Sequence, residues 1–127
     1  MYKELGGDNI MNITWFKDGI KPGLATFYES NITLNKAASK YFEGYDFVLL
    51  GIDYQSKCVV IKPCQESIEN SFRISIANSY SRITNKEFMK EIMKILDTNL
   101  TNALKFTTEW DKKEKVLLIN LKNKEVQ

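Results

Sequence analysis

The chain contains no histidine, and only two cysteines, two prolines and two arginines occur among its 127 residues. Without histidine, the commonest general base, the commonest metal ligand and the usual switch of charge near neutral pH are missing. Cys58 and Cys64 bound an extended segment of about 20 Å, which is too long for a disulfide. Two thiols alone cannot close a zinc site. We therefore expect reduced thiols, no metal and no cofactor.

Long apolar runs are also missing. None approaches the length of about 18 residues that suggests a membrane-spanning helix, and Met1–Asn9 lacks the basic-then-apolar layout of a secretory signal. The formal net charge is only +2, so no strong field commits the chain to nucleic acid or to a membrane surface. These absences predict a cytoplasmic protein that does not bind membranes.

Candidate catalytic groups are few. Asp53 and Asp111 are the only acids in corresponding positions of the two halves, and both stand where hairpin turns prefer Asp. Cys58 has no histidine partner and falls within a predicted strand. Neither Gly-x-Gly-x-x-Gly nor Gly-x-x-x-x-Gly-Lys-Ser/Thr occurs, so no phosphate-binding loop is indicated. The sequence predicts that the protein is not an enzyme.

The first ten residues are unlike the rest and are followed by a second methionine, Met11. Gly6-Gly7-Asp8 could be encoded by a purine-rich stretch typical of a bacterial ribosome-binding site, and the excess of lysine over arginine suits an AT-rich bacterial genome. We expect translation to start at Met11 and residues 1–10 to be a disordered leader. The remainder is then one domain over residues 11–123 and a charged tail over residues 124–127.

Two passages of the chain have the same predicted order of elements. The first has an extended run over 24–34 with a break at 29–31, a helix over 36–42 capped by Asn35, and strands over 47–54 and 58–61 that Pro63 ends. After a polar linker over 64–70, the second has an extended run over 71–83 with a break at 78–79, a helix over 85–97 and strands over 103–110 and 116–121. The pair Thr84 and Glu87 predicts a capping box for this second helix.

An internal repeat explains this order. An offset of 49 residues places Ser30 on Ser79 and Leu34 on Ile83, and an offset of 58 aligns the two hairpins. One unit of this size cannot bury its own apolar face. The sequence therefore predicts an α+β, mainly β fold in which two βαββ units, residues 24–63 and 72–121, share one core.

Particular motifs in each unit carry a family resemblance. Ile32-Thr33-Leu34 leads into the first helix and Val59-Val60-Ile61-Lys62-Pro63 closes the first hairpin, while Arg82-Ile83-Thr84 and the run over 116–121 take these places in the second unit. The unit resembles AbrB-type regulators, and the tandem resembles MraZ-type regulators. The resemblance implies an intertwined, swapped-hairpin pseudo-dimer. It also implies a small bacterial regulator of transcription that occupies an operator in double-stranded DNA, as a pseudo-symmetric monomer or an oligomer of it.

The resemblance further implies that DNA meets the entry from strand to helix and the adjacent loops. Arg82 is the leading candidate, because a guanidinium binds a phosphate or a guanine edge through two hydrogen bonds. The other candidates are the basic residues nearby, although a solvated helix face with Glu87 and Glu91 also explains the helix lysines. The full set of predicted DNA-binding residues is Arg82, Lys86, Lys90, Lys36, Lys40, Arg73 and Lys21.

A second function from a different class fits the same scaffold. A non-enzymatic protein-interaction or assembly module would use the edges of the sheet or an exposed aromatic patch. Most aromatic residues fall at core positions, whereas Trp15 and Tyr80 lie in less regular surroundings. Their exposure bears on this alternative.

Overall fold

The computed structural model describes residues 22–124. The proposed leader and start at Met11, Trp15, Lys21 and residues 125–127 lie outside the described residues. The helices are α1 at Lys36–Ser39, which a 3-10 turn at Lys40–Phe42 continues, and α2 at Lys86–Leu96. The strands in chain order are β1 Leu24–Phe27, β2 Asn31–Leu34, β3 Phe47–Asp53, β4 Cys58–Cys64, β5 Ser71–Arg73, β6 Ser75–Ala77, β7 Tyr80–Thr84, β8 Leu104–Asp111 and β9 Val116–Lys124.

The nine described strands form one antiparallel sheet in the order β5-β3-β4-β9-β8-β1-β2-β7-β6. The two end strands, β5 and β6, are consecutive in the chain with only Ile74 between them, so the sheet curls back on itself and nearly closes. Alternate side chains point inward and form the core. The predicted mainly β class with two helices is confirmed. The largest buried side chains of the core include Phe27, Phe42, Phe106, Ile32, Leu34, Ile61, Ile83, Leu117 and Ile119.

The first half has one more strand than the predicted unit, and the second half has two more. The first extended run is the hairpin β1–β2, and the second contains β5 and the hairpin β6–β7, so in both halves a hairpin precedes the helix and two strands follow it. The predicted breaks are real turns: Asn78 and Ser79 both have positive φ, 52° and 70°, as tight hairpin turns require.

The pairing of β2 with β7 is symmetric in sequence. Ile32 faces Ile83, and Leu34 faces Ser81. Under the offset of 49, Ile32 corresponds to Ser81 and Leu34 to Ile83. The residues of one facing pair are therefore the counterparts of the residues of the other pair. A twofold relation between the halves would leave this register unchanged.

The pairing of β4 with β9 has the same property. Val59 faces Ile119, and Ile61 faces Leu117. The offset of 58 that aligns the hairpins turns Val59 into Leu117 and Ile61 into Ile119, so it also exchanges the pairs. The registers of β2 with β7 and of β4 with β9 are therefore both compatible with a twofold relation between the halves.

The centres of these two symmetric pairings are Thr33–Arg82 and Val60–Leu118. Elsewhere the relation is less regular. β1 is a continuous strand that pairs with β2 and β8, whereas its counterpart is divided at Ile74 into β5, which pairs with β3, and β6, which pairs with β7. The two halves are thus alike in strand pairing without being copies.

Both helices begin at an asparagine cap. The predicted cap of α1 is confirmed, since the Asn35 side chain accepts from the N–H of Ala38 at 3.1 Å. The predicted capping box of α2 is wrong. Asn85 is the cap and accepts from the N–H of Phe88 at 2.9 Å, because Thr84 is still part of β7, where it pairs with β2.

The apolar face predicted for α2 packs on the core, with Ile92 buried and Phe88, Ile95 and Leu96 half-buried against it. Two strand ends differ from the prediction. β4 continues through Pro63 to Cys64, and β9 continues to Lys124. Proline is accommodated because β9 pairs with β4 only over Cys58–Ile61, which leaves Pro63 on a stretch with β3 as its neighbour.

Each helix region contacts a hairpin from the other half. Tyr41, in the turn that continues α1, stacks on Trp110 of β8, with 4.4 Å between ring centroids and 6° between planes. In the second half, Glu91 of α2 accepts a hydrogen bond from the Tyr54 hydroxyl, just after β3, at 3.0 Å. The halves therefore interlock through side chains as well as through strand pairing.

Candidate nucleic-acid interface

The outward face of β8, β1, β2, β7 and β6 carries one continuous row of polar side chains. In strand order, the registers place next to one another Lys105, Thr26, Thr33, Arg82 and Ser75. Neighbouring strands lie about 4.8 Å apart, so the row is about 19 Å long. We call these five residues the polar row, and its symmetric centre is the Thr33–Arg82 pair.

The polar row lines an open groove of about 870 Å³. Among the described residues the lining offers hydroxyls, an amide and two cations, and no carboxylate. Small-molecule sites are mainly apolar with a few polar groups, so a groove of this composition favours an extended polar ligand. The remaining lining residues are Leu24, Tyr28, Leu34, Asn35, Ala77, Tyr80, Ser81 and Thr84.

Arg82 and Lys105 give the groove its charge. Both are exposed, and neither makes an ion pair or a side-chain hydrogen bond with another described residue. They stand three strand spacings apart, about 14 Å. A guanidinium and an ammonium ion in a groove without acids favour a ligand whose negative charges extend over that length.

Asn35 holds one end of the groove in place. Its Oδ1 accepts from the N–H of Leu24 at 2.9 Å as well as from Ala38, and its Nδ2 donates to the carbonyl of Pro22 at 2.9 Å. A single side chain therefore caps α1 and fixes the start of β1 beside the end of β2. A groove wall that is satisfied by internal hydrogen bonds is preorganised for a ligand.

Two exposed tyrosines lie at opposite ends of the groove. Tyr28 is beside Asn31, to whose carbonyl its N–H donates at 2.8 Å, and Tyr80 begins β7 at the other end. Their side chains are 41% and 57% exposed. Exposed aromatic rings beside cations can stack on nucleic-acid bases, and they are also common anchors of protein interfaces.

Of the seven predicted DNA-binding residues, Arg82 lies in the groove lining. Lys36 and Lys40 line a separate cavity of about 320 Å³ between α1 and the β6–β7 turn, together with Ile76 and Ser79. Lys36 nevertheless directly follows Asn35 of the groove wall. Lys21 is outside the described residues.

The predicted lysines of α2 are on its exposed side. Lys90 lies 3.3 Å from Glu87, and the neighbouring Lys94 lies 3.1 Å from Glu91. Ion pairs between exposed side chains contribute little to stability, so the solvated-face interpretation fits these two lysines. Lys86, the first residue of α2, makes no ion pair with a described residue.

Arg73 has a different environment from Arg82. It lies in β5, and its guanidinium stands 5.1 Å from the ring centroid of Phe47 on the paired strand β3. A cation over an aromatic face is attracted by the ring quadrupole. Arg73 does not line the groove, and the structure therefore does not bring it together with Arg82.

Sequence reasoning missed Lys105, Thr26 and Ser75. The local signal for Lys105 is its place beside the buried Phe106 in an alternating strand, which predicts an outward side chain. No local pattern shows that β8 pairs with β1 rather than with a strand of its own half. Lys105 joins the polar row only through that long-range pairing.

The candidate catalytic residues have structural roles. Oδ1 of Asp53 and Oδ1 of Asp111 each accept from the backbone N–H groups two and three residues on, which confirms the predicted turn chemistry. Burial is the main cause that raises the pKa of the Cys58 thiol, which disfavours the thiolate needed for attack. Within residues 22–124, no three metal-ligating side chains cluster.

No known protein family, no curated protein and no solved structure matches this chain. Neither helix of the described residues is long and apolar enough to cross a membrane, since the longer one, α2, has 11 residues.

Proposed function

We propose that this chain is a non-catalytic, DNA-binding regulator of the AbrB and MraZ swapped-hairpin type. It binds double-stranded DNA through the groove over the polar row and acts by occupying an operator, as a pseudo-symmetric monomer or an oligomer of it. The observation that carries the proposal is the groove itself: hydroxyl and cationic side chains from five strands, without a carboxylate, at the centre of the symmetric β2–β7 pairing.

The sheet order supports the swapped-hairpin arrangement. The first hairpin, β3–β4, pairs with β5 and β9, both from the second half, and the second hairpin, β8–β9, pairs with β1 and β4 of the first. The Tyr41–Trp110 stack and the Tyr54–Glu91 hydrogen bond likewise join the helix region of one half to the hairpin of the other. Neither half would keep its hairpin covered alone.

The chemistry of the polar row suits a phosphate backbone. Half or more of protein–DNA hydrogen bonds go to phosphate and sugar, and arginine, lysine, serine, threonine, asparagine and tyrosine supply them. The groove presents all six residue types. Binding by phosphate contacts weakens as salt rises, because each neutralised phosphate releases condensed counterions.

The test is binding of a mixed-sequence duplex by the full chain at about 50 mM salt, with release well below 0.5 M. Arg82→Ala with Lys105→Ala removes the charge of the groove. We expect weaker binding of mixed-sequence duplex and a salt slope smaller by at least about 1, since each lost phosphate contact contributes about 1. Lys112→Ala with Lys113→Ala, in the exposed β8–β9 turn, is the matched control and leaves binding unchanged. Equal losses in both variants would contradict the proposal.

The alternative is a protein-interaction module. The exposure of Tyr28 and Tyr80 and the end strand β6, whose three residues are all exposed, favour it, because sheet edges and exposed aromatic rings both take partners. In that case the duplex is not retained at low salt. Tyr28→Ser with Tyr80→Ser would then abolish association with a protein partner, with Tyr54→Ser as the control.

A further inference from the structure

The halves of the groove are alike in geometry and different in chemistry. Under the offset of 49, Thr26 corresponds to Ser75, which keeps a hydroxyl at that place in the row. Thr33 corresponds to Arg82, and these two residues face each other at the centre. One half therefore contributes a guanidinium where the other contributes a methyl and a hydroxyl group.

The ends of the groove differ in the same way. Tyr28 corresponds to Ala77 and Tyr80 to Asn31 under the same offset. Each end carries one tyrosine, but the tyrosines come from non-equivalent positions: Tyr28 directly follows the first strand of one hairpin, whereas Tyr80 begins the second strand of the other. No twofold rotation superposes the two rings.

The lysines next to the helix caps are the same in both halves. Counted from the caps Asn35 and Asn85, Lys36 corresponds to Lys86 and Lys40 to Lys90. Residues that contact phosphates carry no sequence information directly, whereas contacts to base edges do. The lysines counted from the helix caps thus match between the halves, whereas the central pair of the groove and its two tyrosines do not.

We propose that the protein recognises a non-palindromic duplex site in one orientation, with Arg82 selecting a guanine on one side of the centre. This inference rests on the DNA-binding function proposed above. A dimer of identical subunits reads a palindrome because its two surfaces are the same. Here one chain supplies both surfaces, and its central pair offers a single guanidinium, whose two-point contact with guanine is the commonest specific contact in the major groove.

The experiment is selection of binding sites by the full chain from a library of random duplexes, followed by affinity measurements on the selected site. We expect a consensus that differs from its own reverse complement and contains an essential guanine near its centre. Replacing one half of the site by the inverted copy of the other half should weaken binding about tenfold or more, since each wrong base pair in a site is costly.

Two variants test the role of Arg82. Arg82→Thr gives both halves the same central residue and should abolish the preference for guanine at that position, weakening the selected site about 10- to 100-fold while weakening random duplex far less. Thr33→Arg should add a second guanine at the mirrored position. Arg82→Lys, which keeps the charge without the planar fork, should lose most of the preference as well. Thermal unfolding of each variant verifies that it is folded.

The outcomes separate this inference from the proposed function. A palindromic consensus, or binding without a consensus, overturns the asymmetric site and leaves DNA binding standing. A consensus that keeps its guanine in Arg82→Thr overturns the assignment to Arg82. No enrichment together with no retention of duplex at low salt overturns DNA binding itself.

Discussion

Ser39 of α1 and Ser81 of β7 share a buried hydrogen bond, with 2.7 Å between their hydroxyl oxygens. Both side chains are almost fully buried. Ser39 also donates to the carbonyl of Leu34 at 3.0 Å, so in this arrangement Ser81 donates to Ser39. A buried polar contact thus joins the first helix to the central strand of the second half, directly beneath the groove floor.

The two serines should differ in their contribution to stability. Ser39→Ala leaves the Ser81 hydroxyl buried without its partner and should lower the free energy of unfolding by about 1–3 kcal/mol. Ser81→Ala leaves Ser39 bonded to Leu34 and should cost about 1 kcal/mol or less. Urea unfolding of both variants gives the comparison. A larger loss for Ser81→Ala would contradict the described hydrogen bonding.

The twin turns provide a second test of the relation between the halves. Asp53 and Asp111 accept the same pair of backbone hydrogen bonds, and each turn ends in a lysine with positive φ, Lys57 at 56° and Lys115 at 58°. Asp53→Ala and Asp111→Ala should each destabilise by about 0.5–1.5 kcal/mol. Denaturation that finds one of them neutral and the other costly would show that the turns are not equivalent.

The Tyr54–Glu91 contact predicts a pH dependence. The hydrogen bond with Glu91 is the main cause that raises the pKa of Tyr54, and hydrogen bonds from Lys94 and then Tyr54 lower the pKa of Glu91. Because folding raises the pKa of Tyr54, this group stabilises the fold at pH values below its unfolded pKa of about 10. The contribution is lost as the pH rises through the folded pKa. The lowered carboxyl pKa stabilises above the unfolded value of about 4.3 and this is lost as pH falls through the folded value.

Nuclear magnetic resonance of the tyrosine ring carbons measures the shift of Tyr54 directly. Glu91→Gln should bring the pKa of Tyr54 down towards its ordinary value, because the charged acceptor is gone. Glu87→Gln is the matched control, since Glu87 pairs with Lys90 and does not contact Tyr54. A Tyr54 titration that is the same in the wild type and in Glu91→Gln would show that α2 and the end of β3 are not in contact.

Short-range sequence patterns predicted the helices, strands and turns well, but they did not predict which distant strands pair with each other. Asn35 as a cap, the Asp53 and Asp111 turns and the apolar face of α2 all follow from side chains within a few residues. The cap of α2 was misassigned because Thr84 and Asn85 are both good caps, and only the pairing of Thr84 with Asn31 decides between them.

The sequence pointed to Arg82 at the centre of the candidate site, but it did not show the residues that extend the site across the neighbouring strands. Arg82 was found because it stands at the strand-to-helix entry to which the family resemblance points, and because a guanidinium can bind a phosphate or a guanine edge through two hydrogen bonds. Lys105 is more than twenty residues away in sequence and reaches the same row only through β1 and β2. The predicted helix lysines were grouped by helical spacing, whereas the groove is organised by strand register.

The most direct measurement is a nuclear magnetic resonance titration of the isotopically labelled chain with a mixed-sequence duplex at low salt. We expect the largest chemical-shift changes on the polar row, at Thr26, Thr33, Ser75, Arg82 and Lys105. Signals around the other symmetric centre, the Val60–Leu118 pair, should stay in place. Changes centred on Val60 and Leu118, or none at all with duplex in excess, would contradict DNA binding through the groove.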